Sequence, residues 1–328
     1  MSAPFKVLSI DGGGIRGIIP AMVMAEIERR TEKPITELFD LIAGTSTGGI
    51  LALGLTKPDR NNKGKPNYTA DDAIKMYEDR GAQIFSRSVW HRLHSRFGLS
   101  DEKYPTSGIE SVLDEYLGDA RLKDALTNVL ITSYEIERRF PFFFRSSRAK
   151  QDPTYDFPIA KVARATSAAP TYFEPLMLRT EDAAEYYALV DGGVFANNPA
   201  MCAYVEAIRV DQKQSSSKDI LVVSLGTGQL TRPLTYDEAK DWGLIEWAQP
   251  ILNVVFDGVS DTVEYQLKTL LPPDRYYRFQ TFLDEGNDDL DDAGRTNIRV
   301  LKLKAEALIH DNRKDLDNLC ELLVEEIN

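Results

Sequence analysis

Residues Phe39–Leu55 read "FDLIAGTSTGGILALGL". The opening "FDLIAG" is of strand type, the closing "ILALGL" is an apolar helix-forming run, and between them lies Gly44-Thr45-Ser46-Thr47-Gly48, a G-x-S-x-G pentapeptide. A strand that enters a helix through so few residues must turn sharply. Small residues two positions either side of the serine let the backbone turn without a clash. Such a turn strains the serine, exposes its hydroxyl and sets it at a helix N-terminus, where the dipole favours a developing negative charge.

The same alternation continues on both sides. Strand-like runs occur at 5–10, 39–44, 128–136, 140–147, 186–191 and 219–226, with helical spacing at 18–30, 70–85, 107–117 and 198–210. Thr69 and Asn198-Pro199 supply helix-start chemistry. The pattern predicts an α/β fold in which helices cover both faces of a mostly parallel central sheet, made mixed by a hairpin over 128–147. Beyond Gly228 the texture is helical, apart from a short strand at 275–280, and no Gly/Ser- or Pro-rich linker marks a boundary. We read 1–328 as a single domain, with a motif-bearing core at about 5–230 and a helical C-terminal portion at about 231–328.

Composition narrows the function classes. The hydrophobic share of 43% and charged share of 27% are those of an ordinary globular protein. A net charge of −12 argues against a general nucleic-acid binder and against attraction to anionic membranes by overall charge. Cys202 and Cys320 form no metal or redox motif, and the acidic loop at 283–297 lacks the ligand alternation, central Gly and closing Glu of a calcium loop, so no metal is expected. The start, "MSAPFKVLSI", has no leader of signal-peptide character, and no apolar run reaches the ~18 residues of a membrane span. The expectation is a soluble, cytoplasmic protein whose contact with a bilayer is peripheral.

A second glycine cluster stands in "VLSIDGGGIRG", Val7–Gly17. Gly12, Gly14 and Gly17 match G-x-G-x-x-G between a strand and a helix, the context of a dinucleotide-binding turn. That site wants an acidic residue at the end of the next strand, whereas Asp40 stands at the start of its strand. The rival reading gives the backbone N–H groups of Gly12, Gly13 and Gly14 to an oxyanion, where such donors are worth about 10²–10³ each in rate. Arg16 either reinforces them or ties the loop to acidic neighbours.

Ser46 needs a base. The chain has three histidines, His91, His94 and His310. Only His310 stands in the order of an α/β-hydrolase triad, and its setting, "AEALIHDNRK", reads as a solvent-facing helix. Asp191 closes "YYALV" and precedes Gly192 and Gly193, at a strand end of the kind that carries sites in α/β sheets. A carboxylate with its ordinary pKa of ~3.9 is a weak base, and burial improves it. Asn197 and Asn198 follow closely.

Taken in order, "DGGGIRG", "GTSTGG" and "DGG" resemble the patatin-like phospholipases, and the segments at 159–175, 222–228 and 290–309 are similar to the family as well. The resemblance implies a three-layer α/β/α sandwich and a Ser–Asp dyad, with Ser46 as nucleophile, Asp191 as base and Gly12–Gly14 with Arg16 as the oxyanion element. Gly17, Gly44, Gly48, Gly192 and Gly193 support the motifs. It implies an acyl-lipid substrate, phospholipid among them, and neither metal nor organic cofactor. Vacuolar targeting, a property of plant storage members, does not carry over. The stretch 86–99, "SRSVWHRLHSRFGL", sets Val89, Trp90, Leu93 and Phe97 on one helical face beside Arg87, Arg92 and Arg96, so Trp90 and Phe97 are candidate interfacial residues. The rival functional class is a non-catalytic nucleotide- or lipid-binding regulator that uses the glycine loop.

Overall fold

Val7–Ile10 and Ile220–Leu225 are continuous buried runs, as strands covered on both faces require. They form β1 (Phe5–Ile10) and β7 (Ile220–Leu225), neighbours inside the main sheet. The structure is a computed structural model that describes residues 4–85, 106–170, 172–210, 219–230, 233–247, 250–283 and 290–325. The remaining strands are β2 (Leu41–Gly44), β3 (Asn128–Glu135), β4 (Phe140–Arg145), β5 (Leu176–Arg179), β6 (Tyr186–Asp191), β8 (Gln229–Leu230), β9 (Tyr276–Phe279) and β10 (Phe282–Leu283). The main sheet runs β5-β6-β3-β2-β1-β7-β9, with β4 also on β3, while β8 and β10 pair separately. Pairing is parallel from β3 through β2, β1 and β7 to β9, and antiparallel where β3 meets β4 and β6 and where β5 meets β6.

The longer helices are α1 (Ile18–Thr31), α2 (Thr47–Thr56), α3 (Ala70–Phe85), α4 (Thr106–Leu117), α5 (Ile159–Thr166), α6 (Ala200–Val210), α7 (Pro250–Leu270), α8 (Arg295–Asp311) and α9 (Arg313–Val324). Strand alternation sorts them into layers. Val7, Leu41, Ala43, Leu130, Ile220 and Val222 pack under α6 and α7. Their neighbours Leu8, Ile10, Ile42, Val129, Ile131, Leu221 and Val223 face the other way, into the larger core shared with the remaining long helices. The result is a mixed, mostly parallel sheet between two helical layers. Local chemistry agrees: the Thr69 hydroxyl accepts from the Asp72 N–H at 3.2 Å while the Asp72 carboxylate accepts from the Thr69 N–H at 3.1 Å, a reciprocal cap on α3. Asn198 Oδ1 accepts from the Ala200 N–H at 3.0 Å and starts α6.

The register of β3 positions the site. One edge carries β4, through Leu130↔Arg145 to Glu135↔Phe140. The other edge is shared end to end: β2 pairs with 128–131 in parallel and β6 pairs with 133–135 in antiparallel sense. The C-terminal ends of β2 and β6 therefore meet head-on across Thr132, with Gly44 opposite Ile131 and Asp191 opposite Ser133. Among the described residues, no helix is long and apolar enough to cross a membrane.

Candidate active site

Ser46 lies where β2 becomes α2, with φ 53° and ψ −123°, in the positive-φ region that an L-residue adopts at a cost of order 1–3 kcal/mol. Its neighbours hold that conformation. The Ser46 N–H donates to Thr166 Oγ1 at 2.8 Å, and the Ser46 carbonyl accepts from the Ile50 N–H at 3.0 Å as the first helical bond of α2. The glycines of the turn are required by space: a Cβ at Gly44 would land on the Gly48 carbonyl, and one at Gly48 on the Ile10 carbonyl. Thr45 next door bonds Thr132 Oγ1 at 2.7 Å and the Ala196 carbonyl at 2.6 Å, so this turn is stitched to β3 and to the segment after β6.

Asp191 ends β6 and is only 2% exposed. Its Oδ1 accepts from the Gly193 N–H at 2.7 Å. Burial pushes the carboxyl up to about 7, with the Gly193 N–H and then the Ser46 side-chain hydrogen bond drawing it partly back. Gly192 sits against Thr132, where a Cβ would collide with the threonine side chain. The head-on arrangement of β2 and β6 thus brings a strained serine hydroxyl and a desolvated carboxyl together.

The glycine run after β1 forms the third wall. Gly12 is the exception to the expected donor set: its N–H donates to the Asn197 carbonyl at 3.0 Å, and its own carbonyl accepts from Thr227 Oγ1 at 2.6 Å. Gly12 is a fastening point, because an N–H already spent on a carbonyl has nothing to offer an oxyanion. Among the described residues the N–H groups of Gly13 and Gly14 have no protein acceptor, and both glycines line one cavity with Ser46 and Asp191. Arg16 is buried and its Nε donates to the Gly13 carbonyl at 3.3 Å, which ties the side chain to the loop. Gly17 abuts Tyr77 and Thr47, whose hydroxyls bond each other. The rest of the cavity is largely apolar, with Phe85, Ile109, Tyr172, Phe173 and Phe256 supplying a surface that suits a hydrocarbon chain.

His310 is elsewhere. Its side chain is 87% exposed on α8 beside Asp311, which removes the triad alternative. Trp90 and Phe97, with the whole 86–99 stretch, lie outside the described residues. Among the described residues no group of three or more His, Cys, Asp or Glu side chains could hold a metal ion. Sequence reasoning passed over Thr166, which fixes the serine backbone, and Phe256 and Leu290, which bring the C-terminal part of the chain to the cavity. The first carried a signal in its neighbourhood, "RATSAAP"; the other two are apolar residues without any.

The Patatin-like phospholipase family model matches residues 8–204. The chain is 32% identical to Patatin-like protein 4 of Arabidopsis thaliana, an alignment covering 95% of this chain and 85% of that one. It is 34% identical to Probable inactive patatin-3-Kuras 1 of Solanum tuberosum, covering 92% and 86% respectively. Among solved structures it is similar to VipD from Legionella pneumophila, with 14% identity, a TM-score of 0.36 and coverage of 93% of this chain and 67% of that one.

Proposed function

Because the chain belongs to the patatin-like phospholipase family, we propose that it is a lipid acyl hydrolase of phospholipase A or lysophospholipase type, a serine hydrolase acting on carboxylic esters. The observation that carries this reading is the strained Ser46 beside a buried Asp191 whose pKa stands at about 7.

In this mechanism the Ser46 hydroxyl oxygen attacks the ester carbonyl carbon while its proton passes to Asp191. The carbonyl oxygen becomes an oxyanion and receives the N–H groups of Gly13 and Gly14, the donors left open in the glycine loop. Collapse breaks the bond to the alcohol, which leaves with the proton from Asp191. Water then gives a proton to Asp191 and attacks the acyl-enzyme, and the fatty acid departs as Ser46 recovers its proton. The scheme uses neither metal nor organic cofactor.

The reading extends to the whole chain, 1–328, as one catalytic unit, supported by β9 lying in the main sheet and by Phe256 and Leu290 at the cavity. Free Cys202 and Cys320 support a reducing, cytoplasmic setting. A specific observation keeps the non-catalytic class in view: one relative of this chain is named as probable inactive, so membership alone does not carry turnover. What favours turnover here is the presence of both Ser46 and Asp191 in one cavity. Mass spectrometry of the products from a mixed lipid extract tests the reading. Wild type releases free fatty acids and lysolipids and Ser46→Ala does not; identical product profiles would leave the binding reading standing.

A further inference from the structure

Asp11 is the acidic residue of "DGGGIRG", yet it takes no part in the proposed dyad. It is 1% exposed and immediately precedes the glycine loop. Its partner comes from far along the chain: Arg278 Nη2 donates to Asp11 Oδ2 at 2.6 Å, and both side chains are almost wholly enclosed. The path between them is written in the register. Arg278 on β9 is paired with Ser224 on β7, and Ser224 with Ser9 on β1. Those two small side chains leave a channel across the sheet under α7, and the guanidinium lies in it, with Nη1 donating to Ser224 Oγ at 2.8 Å on the way to Asp11. Leu or Val at either serine would fill that channel.

We propose that Arg278 is a positioning residue for the oxyanion loop, acting through Asp11. The inference rests on the reading of Ser46 and the Gly13–Gly14 donors given above. Two physical effects combine. The ion pair fixes the carboxylate next to Gly12, and with the bonds from the Asp11 N–H to the Leu225 carbonyl and from the Ile15 N–H to the Leu290 carbonyl, each 3.0 Å, it holds the loop at both ends. It also neutralises a buried anion two and three residues from the N–H groups that must receive negative charge. Left unpaired, that carboxyl would be driven by burial towards its neutral, protonated form and would lose its hold on the loop. Arg278 lies beyond the residues matched by the family model, so the C-terminal part of the chain supplies something the motif-bearing part lacks.

The test compares wild type with Arg278→Met, Arg278→Lys, Asp11→Asn and the double variant Asp11→Asn/Arg278→Met. The readouts are kcat and KM on a soluble p-nitrophenyl ester, the rate of fluorophosphonate labelling, and the melting temperature. Arg278→Met and Asp11→Asn are expected to lower kcat and labelling about 100-fold with KM within about twofold. Arg278→Lys should recover part of the loss by restoring the charge. The double variant strands no buried charge, which keeps it foldable even where a single variant is not. It should be no slower than the worse single variant, because the two residues act as one unit. A melting temperature that falls while kcat and labelling stay at the wild-type level in the folded variants would overturn the proposal and leave the pair purely structural. Additive losses in the double variant would overturn it as well. Wild type that is not labelled at all would instead remove the Ser46 reading on which the inference stands.

Discussion

In the proposed mechanism Asp191 takes the Ser46 proton directly, so its own ionisation would govern the rate. Burial sets its carboxyl at about 7, well above the ordinary carboxylate value. The base form is the ionised one, and it is scarce below that pH. We therefore expect kcat/KM on a soluble ester to rise about tenfold per unit as pH increases towards 7 and to level off above it. A profile already flat from pH 5 upward would mean that Asp191 is ionised like a surface carboxylate and is not the group being titrated. At this scale the sequence marked two polar side chains that share the cavity. Ser46 and Asp191 each stand in a motif whose spacing carries a reason. What could not be read was which glycine N–H groups remain open. Gly12, Gly13 and Gly14 are identical as letters, and only the Asn197 carbonyl, held near by a chain segment some 180 residues on, distinguishes the first from the others.

Elements explain why these residues meet. The strand readings at 5–10 and 186–191 agree with β1 and β6 residue for residue, because each is a buried run that ends at a turn signal. The direction of β6 was not legible: strand propensity is blind to which way a neighbour runs. Asp191 reaches the serine because β6 is antiparallel to β3 and meets β2 head-on, a property of pairing. β5 went unread because its four residues end in Arg179 and leave Met177 exposed at 58%, which breaks the apolar signal of a covered strand. The turn at Ser46 gives the sharpest prediction here. Gly48→Ala drives a Cβ into the Ile10 and Asp11 carbonyls, which are backbone and cannot step aside. Overpacking of this kind costs about 1–3 kcal/mol, so the melting temperature should fall by several degrees and activity should fall with it. An unchanged melting curve would mean that α2 does not pack against β1 as described.

The whole molecule carries 51 acidic against 39 basic side chains, a balance that acts before any substrate reaches the cavity. Repulsion from an anionic bilayer reaches ~30 Å at 0.01 M salt and ~8 Å at 0.15 M. Hydrolysis of anionic vesicles should therefore increase several-fold between those salt concentrations, while the rate on a soluble ester changes little. A vesicle rate that falls with salt would point instead to local basic attraction, such as Arg87, Arg92 and Arg96 could provide. At this scale too, the C-terminal portion reads as more than a helical cover, since it brings Arg278, Phe256 and Leu290 to the loop and the cavity. Its helices were visible in the sequence; its part in the site was not, because no residue in it belongs to a motif. The central claim, that Ser46 is the nucleophile and Asp191 its base, is tested most directly by locating a fluorophosphonate adduct by peptide mass spectrometry. The account predicts an adduct on Ser46 in wild type, none in Ser46→Ala, and labelling slower by 100-fold or more in Asp191→Asn. An adduct on a different serine, or equal labelling in Ser46→Ala, would contradict it.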